Sequence, residues 1–249
     1  MKKFFRSLFS VNPSSLTLCN IVLVIILFLI GLPILDLIEL KTYDLRFKSR
    51  DTLKPSPSVV MAVIDEKSLD REGRWPWPRS KLAHLVDILS RDGAKVIGFD
   101  IGFPEPDENS YLKFIAHLDH RIEALGIRDK QLADFLSESK AEADNDVLFA
   151  DAVRRSNASV VLGYFFHMTE ADLNYRIDQE EKNRQLERID HSKYPLILYE
   201  DQGMEIPPFI STYAPEANLA VLVGATKLSG YFNMLPDKDG AARWMPLTI

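Results

Sequence analysis

A single cysteine, Cys19, stands in 249 residues, which excludes a disulfide framework and any cysteine-ligated zinc site. A basic surplus is missing as well. The 30 Lys and Arg side chains face 36 Asp and Glu, a formal net charge of −6, so the clustered cations that a phosphate backbone needs are absent and nucleic acid is not an expected partner. There is no G-x-x-x-x-G-K-[ST] phosphate loop, no G-x-G-x-x-G fingerprint and no G-x-S-x-G elbow. His84, His117, His120, His167 and His191 form no H-E-x-x-H or other paired-ligand spacing. A calcium loop at Pro236–Gly240 would want an oxygen ligand two residues before Asp237, where Leu235 stands. Internal repeats and low-complexity tracts are also lacking. No catalytic constellation, metal site or cofactor is expected.

What the chain does have is one long uncharged run. Leu16 to Leu35 reads LTLCNIVLVIILFLIGLPIL, twenty residues without a charge and apolar on every side of a helix. At about 1.5 Å of rise per residue, such a run spans the roughly 30 Å hydrocarbon core of a bilayer. A cleaved signal peptide needs a shorter apolar core and a small-x-small site, which GLPILDLIEL does not offer. Residues 16–37 are therefore expected to form an uncleaved membrane helix behind a short N-terminal segment, residues 1–15. Lys2, Lys3 and Arg6 in that segment flank the N-terminal side of the run without an acidic neighbour. They favour a cytoplasmic N-terminus and an exported remainder, although Lys41, Arg46, Lys48 and Arg50 on the far side make the balance of charge less one-sided.

The rest reads as one α/β domain over residues 41–249. Ser58–Ile64, Lys95–Phe99, Ser159–Phe166 and Leu219–Ala225 are short apolar runs of the kind that form buried strands. Pro78 suits a first helical position, Leu82, Leu85, Val86 and Leu89 recur at helical spacing, and Gly93 suits a left-handed helix end. Further helices are expected over Tyr111–Leu125, about Asp129–Ser139 and Asp146–Arg155. Thr169–Lys193 reads as a charged surface helix or excursion. Asp239-Gly240 is a turn pair between two short strands, Gly230–Met234 and Ala241–Leu247. Strand, helix and strand in succession predict a mostly parallel sheet with a C-terminal hairpin.

In a parallel sheet the carboxyl ends of the strands share one rim, where ligands bind. Asp65 and Asp100 end the first two expected strands. The loops that follow bring Glu66, Arg74, Trp75, Trp77, Arg79, Glu105 and Asp107 towards that rim, and His167-Met168-Thr169 leaves the third. The tentative ligand site is Asp65, Arg74, Trp75, Trp77, Arg79, Asp100, Glu105 and Asp107. Each also has a plainer role. The two aspartates can fix their own turns, the tryptophans can cover core, and the arginines can pair with nearby carboxylates. A metal-dependent hydrolase or phosphotransferase using Asp65 and Asp100 is the rival enzyme reading. It lacks the second aspartate two residues on, because Lys67 and Gly102 occupy those positions. A protein-interaction module is the third.

Several motifs together resemble one family. Tyr43-Asp44-Leu45-Arg46-Phe47 follows the apolar run. Val63-Ile64-Asp65-Glu66-Lys67-Ser68-Leu69 and Gly73-Arg74-Trp75-Pro76-Trp77-Pro78-Arg79 come next, then Gly93-Ala94-Lys95-Val96-Ile97-Gly98-Phe99-Asp100-Ile101. Asn233, Pro236-Asp237-Lys238-Asp239-Gly240 and Arg243 close the pattern. In this order they resemble the CHASE2 extracytoplasmic sensor domain, over residues 41 to about 247. The resemblance implies the input half of a bacterial receptor in the cytoplasmic (inner) membrane, receiving an unidentified extracytoplasmic ligand and working as a homo-oligomer. It implies further membrane helices and an output such as a nucleotide cyclase, a diguanylate cyclase or a kinase. The sequence stops at Ile249 before any such span, so a fragment, a truncated product or a stand-alone sensor is expected, itself without catalytic activity.

Overall fold

A computed structural model describes residues 13–30, 33–173, 175–196 and 209–247. The chain divides into two compact units, Met1–Ala62 with Pro236–Arg243, and Val63–Leu235 with Trp244–Ile249.

In the first unit the apolar run becomes helix α1, Pro13–Ile30, followed by α2, Pro33–Ser49. Pro33 has no N–H to give and suits a helix start, so the run is not one continuous helix. Among the described residues no single helix is long and apolar enough to cross a membrane, whereas α1 and α2 meet that length and composition only as a bent pair. The expected single span over 16–37 is not confirmed by any one helix; residues 31 and 32 lie outside the described residues. Most of the described large apolar side chains of α1 are exposed, Phe28 at 80%.

In the second unit, α3 (Glu66–Glu72) and α4 (Arg79–Arg91) lead to strand β1, Val96–Gly98. Three helices follow: α5 (Ser110–Ala124), α6 (Lys130–Ala143) and α7 (Asn145–Arg155). Each starts where a short polar side chain takes up orphan N–H groups: Asn109, Asp129 and Asp144. Strand β2, Ser159–His167, runs through the centre. Then come α8 (Gln179–Arg188), β3 (Ala214–Glu216), α9 (Ala220–Val223) and β4 (Ser229–Tyr231).

The sheet is mixed. β1 pairs parallel with the first third of β2, Val96 opposite Ser159, and β4 pairs parallel with its middle, Leu162 opposite Ser229. β3 pairs antiparallel with its end, His167 opposite Ala214. The core lies between the sheet, α4 and α7, with Leu82, Val86, Ile97, Leu162 and Leu222 around three edge-to-face rings, Phe99, Phe103 and Phe149. Gly163 admits this packing. A Cβ there would collide with the Phe99 carbonyl oxygen and meet the Phe232 ring at 2.8 Å.

Two expected strands and the expected hairpin are corrected. Ser58–Ile64 is unpaired among the described residues, and Val59, Val60, Met61 and Val63 are exposed. Its β-branched composition supplies propensity, but a strand also needs a neighbour that accepts its bonds. Leu219–Ala225 contains a short helix, because a short apolar run does not distinguish a buried strand from a buried helical turn. The C-terminal hairpin reduces to one antiparallel bridge, Leu235 to Trp244, around the expected Asp239-Gly240 turn, with Gly240 at φ 80°. Pro78 lies just before α4 rather than in its first position.

Candidate functional site

The structure separates the sequence-derived site residues into a connected cluster and several individuals. Asp65 caps α3: its Oδ1 accepts from the Ser68 N–H at 2.9 Å and the Ser68 hydroxyl at 2.8 Å. These two bonds hold the Asp65 carboxyl below the ordinary value. The plainer turn role is the one its contacts fulfil. Trp75 and Trp77 lie edge to face with ring centres 6.0 Å apart, on either side of a cis Trp75–Pro76 bond. Trp77 packs against the core and donates its indole N–H to the Gly73 carbonyl at 2.8 Å, whereas Trp75 remains 39% exposed. Arg74 and Asp100 are exposed, with no partner among the described residues. Among the described residues no hydrogen bond or ion pair joins Asp65 or Asp100 to the other candidates.

Arg79, Glu105 and Asp107 do come together, around a residue absent from the sequence-derived set. Arg79 opens α4 and is buried. Its backbone N–H donates to Asp107 at 3.1 Å and its guanidinium to the Glu105 carbonyl at 3.3 Å. The guanidinium also lies 4.6 Å over the Phe103 ring. Asp146, in the first turn of α7, accepts from the Asp107 N–H at 2.9 Å, while Asn145 donates to the Asp107 carboxylate at 2.6 Å. Arg79 Nε and Asp146 Oδ1 face each other at 3.5 Å, an ion pair without a hydrogen bond, and neither atom has another partner. Burial pushes the Asp146 carboxyl above its ordinary value, opposed by the Asp107 N–H and Arg79. The cluster ties the loop after β1 to two helix N-termini. Sequence reading placed Asp146 only as a helix start, since nothing local ties it to Arg79.

At the end of β2, His167 is buried against Glu216 of β3, Nε2 to Oε2 2.6 Å. Asn218 bridges the loop after β1 and the sheet, accepting from Phe103 N–H at 2.7 Å and donating to the Gly163 carbonyl at 2.9 Å. Among the described residues, no three His, Cys, Asp or Glu side chains are gathered as a metal ion would require.

The most heavily bonded charge belongs to the other unit and was not among the sequence candidates. Arg243, 5% exposed, takes Asp44 of α2 bidentately at 2.8 and 2.8 Å. It also binds Asp237 at 2.8 Å and Asp239 at 2.8 and 2.9 Å. Lys41 reaches Asp239 at 3.1 Å and Lys238 reaches Asp36 at 2.6 Å. Its bonds to three carboxylates raise the Arg243 pKa, and its bonds in turn lower Asp44 and Asp239. The sequence signal was present in two of the motifs quoted above, Tyr43–Phe47 and Pro236–Arg243. Only their meeting was hidden.

The chain belongs to the CHASE2 domain family, whose model matches residues 20–249. CHASE2 is a sensor domain family of signalling receptors, an extracytoplasmic input module and not a catalytic one. No curated protein and no solved structure matches the chain.

Proposed function

We propose that this chain is the input module of a receptor in the cytoplasmic membrane. In this reading the apolar helix α1 inserts in the bilayer with α2 at its far end, and residues 41–249 lie outside the cytoplasm. A ligand is received by exposed side chains of the loops, Arg74 and Trp75 between α3 and α4 and Asp100 after β1. The parent receptor carries the output, a nucleotide cyclase or a kinase. The observation that carries the reading is the match of residues 20–249 to a sensor-domain family, supported by the exposed apolar side chains of α1; the Arg243 clamp fastens the loop Pro236–Arg243 to α2. A ligand acts on an equilibrium only through its differential affinity for two states. A bidentate Arg–carboxylate pair with two further carboxylates holds α2 and the loop together.

Topology reporters test the reading. Joined after Ile249, alkaline phosphatase is expected to be active and a cytoplasmic fluorescent reporter dark. The reverse pattern overturns the placement outside the cytoplasm.

A further inference from the structure

Helices α5 and α6 form a hairpin at the periphery of their unit, joined by the ion pair of Asp119 and Lys140. The hairpin fully buries only Ile115 and Leu136. It exposes far more: Tyr111 64%, Phe114 56% and Leu118 37% on α5, Leu125 70% at its C-cap, and Phe135 64% on α6. The three α5 residues and the C-cap Leu125, itself in helical conformation, are spaced three, four and seven apart, so they form one stripe. Arg121 lies on the edge of that stripe, three residues after Leu118, and His117 stands beside it. Phe135 lies instead among acidic residues, with Glu138 and Glu142 three and seven positions on. Arg121, His117, Glu138 and Glu142 are exposed and have no ion-pair partner among the described residues.

The geometry points to a second copy of this chain as the occupant of this face. α5 of one protomer packs on α6 of the other and the reverse, so that two hairpins close into a four-helix bundle. Two-fold symmetry satisfies both rims at once, because the basic edge of each α5 meets the acidic edge of the partner's α6. The five apolar side chains expose on the order of 500 Å², the upper end for a monomer's largest patch. A standard interface takes about 800 Å² from each partner, so the charged rims take part in it as well as the apolar side chains. This inference is independent of the topology proposed above.

The test is the dimer dissociation constant of the full chain in detergent, measured by analytical ultracentrifugation, with circular dichroism as the check on folding. The parent is expected to be dimeric at micromolar concentration. Phe114→Glu or Phe135→Glu, both at exposed positions, is expected to weaken the dimer by about 100-fold without loss of helicity. Arg121→Glu is expected to weaken it about tenfold, and adding Glu138→Arg with Glu142→Arg to restore it to within about threefold. A monomeric parent overturns the inference. So does a dimer indifferent to both aromatic changes, which would place self-association elsewhere, as on α1. Sensitivity to the aromatic changes without charge rescue overturns the crossed α5–α6 arrangement.

Discussion

Arg243 and Asp44, 199 positions apart in sequence, are joined by two parallel hydrogen bonds of 2.8 Å. The planar guanidinium matches the carboxylate edge to edge, a geometry that a lysine cannot reproduce. Arg243→Lys is therefore expected to behave like Arg243→Gln in a receptor signalling assay, reducing ligand-dependent output by about tenfold or more, on the scale of a lost charge-assisted pair. Retention of full output by the lysine variant would show that charge alone suffices.

The same clamp has a defined pH response. Asp44 and Asp239 lie below the ordinary carboxyl value because Arg243 bonds them in the folded state. Their contribution is thus fully present above the ordinary value of 3.8 and is lost as pH falls through the lowered folded values. Hydrogen-exchange protection of the loop Pro236–Arg243 should be level from pH 5 to 8 after correction for intrinsic rates. A decline beginning near neutrality would contradict the assignment.

Asp146 responds in the opposite sense. Burial raises its carboxyl in the folded protein, so folding is favoured at low pH and that advantage is lost as pH rises from 3.8 through the raised folded value. Asp146→Asn keeps the acceptor for the Asp107 N–H and should flatten this slope in denaturant titrations taken at successive pH values. Arg79→Met leaves the buried carboxylate unpaired and is expected to cost about 3–5 kcal/mol.

The two tryptophans should part company. Trp77 packs on the core and holds the Gly73 carbonyl, so Trp77→Ala should cost about 3 kcal/mol, the low end for a large aromatic truncation. Trp75→Ala, at a 39% exposed ring, should stay within about 1 kcal/mol. Chemical denaturation of both variants measures the difference.

Gly163→Ala is expected to cost about 3 kcal/mol, the upper range for overpacking, because the new methyl would meet backbone rather than the end of a flexible side chain. A melting temperature equal to the parent's would mean that β2 can shift away from the Phe99 carbonyl.

Much of the local structure was written in the chain. Helices α4 to α7 fall close to their expected limits, because capping side chains such as Asn109 and Asp144, together with apolar spacing, act within a few residues. β2 was equally plain as a long β-branched and aromatic run. Elements that depend on a partner were less legible. Ser58–Ile64 has the composition of a strand without a pairing, and Leu219–Ala225 turned out to hold a helical turn. The candidate rim residues were grouped by loop proximity, yet only Arg79, Glu105 and Asp107 share a cluster, and Asp65 spends its carboxylate on Ser68.

By itself the sequence determined the α/β class, the uncharged run at the N-terminus, the helix starts and the motifs that mark the family. These follow from period, charge and capping, all of which operate over a few residues. Tertiary structure alone decided which charges meet. Arg79 finds Asp146 across 67 positions and Arg243 finds Asp44 across 199, and no local preference encodes either encounter. Ion pairs become specific only where the fold excludes water and holds both side chains in place. The sequence supplied the charges, and the packing selected their partners.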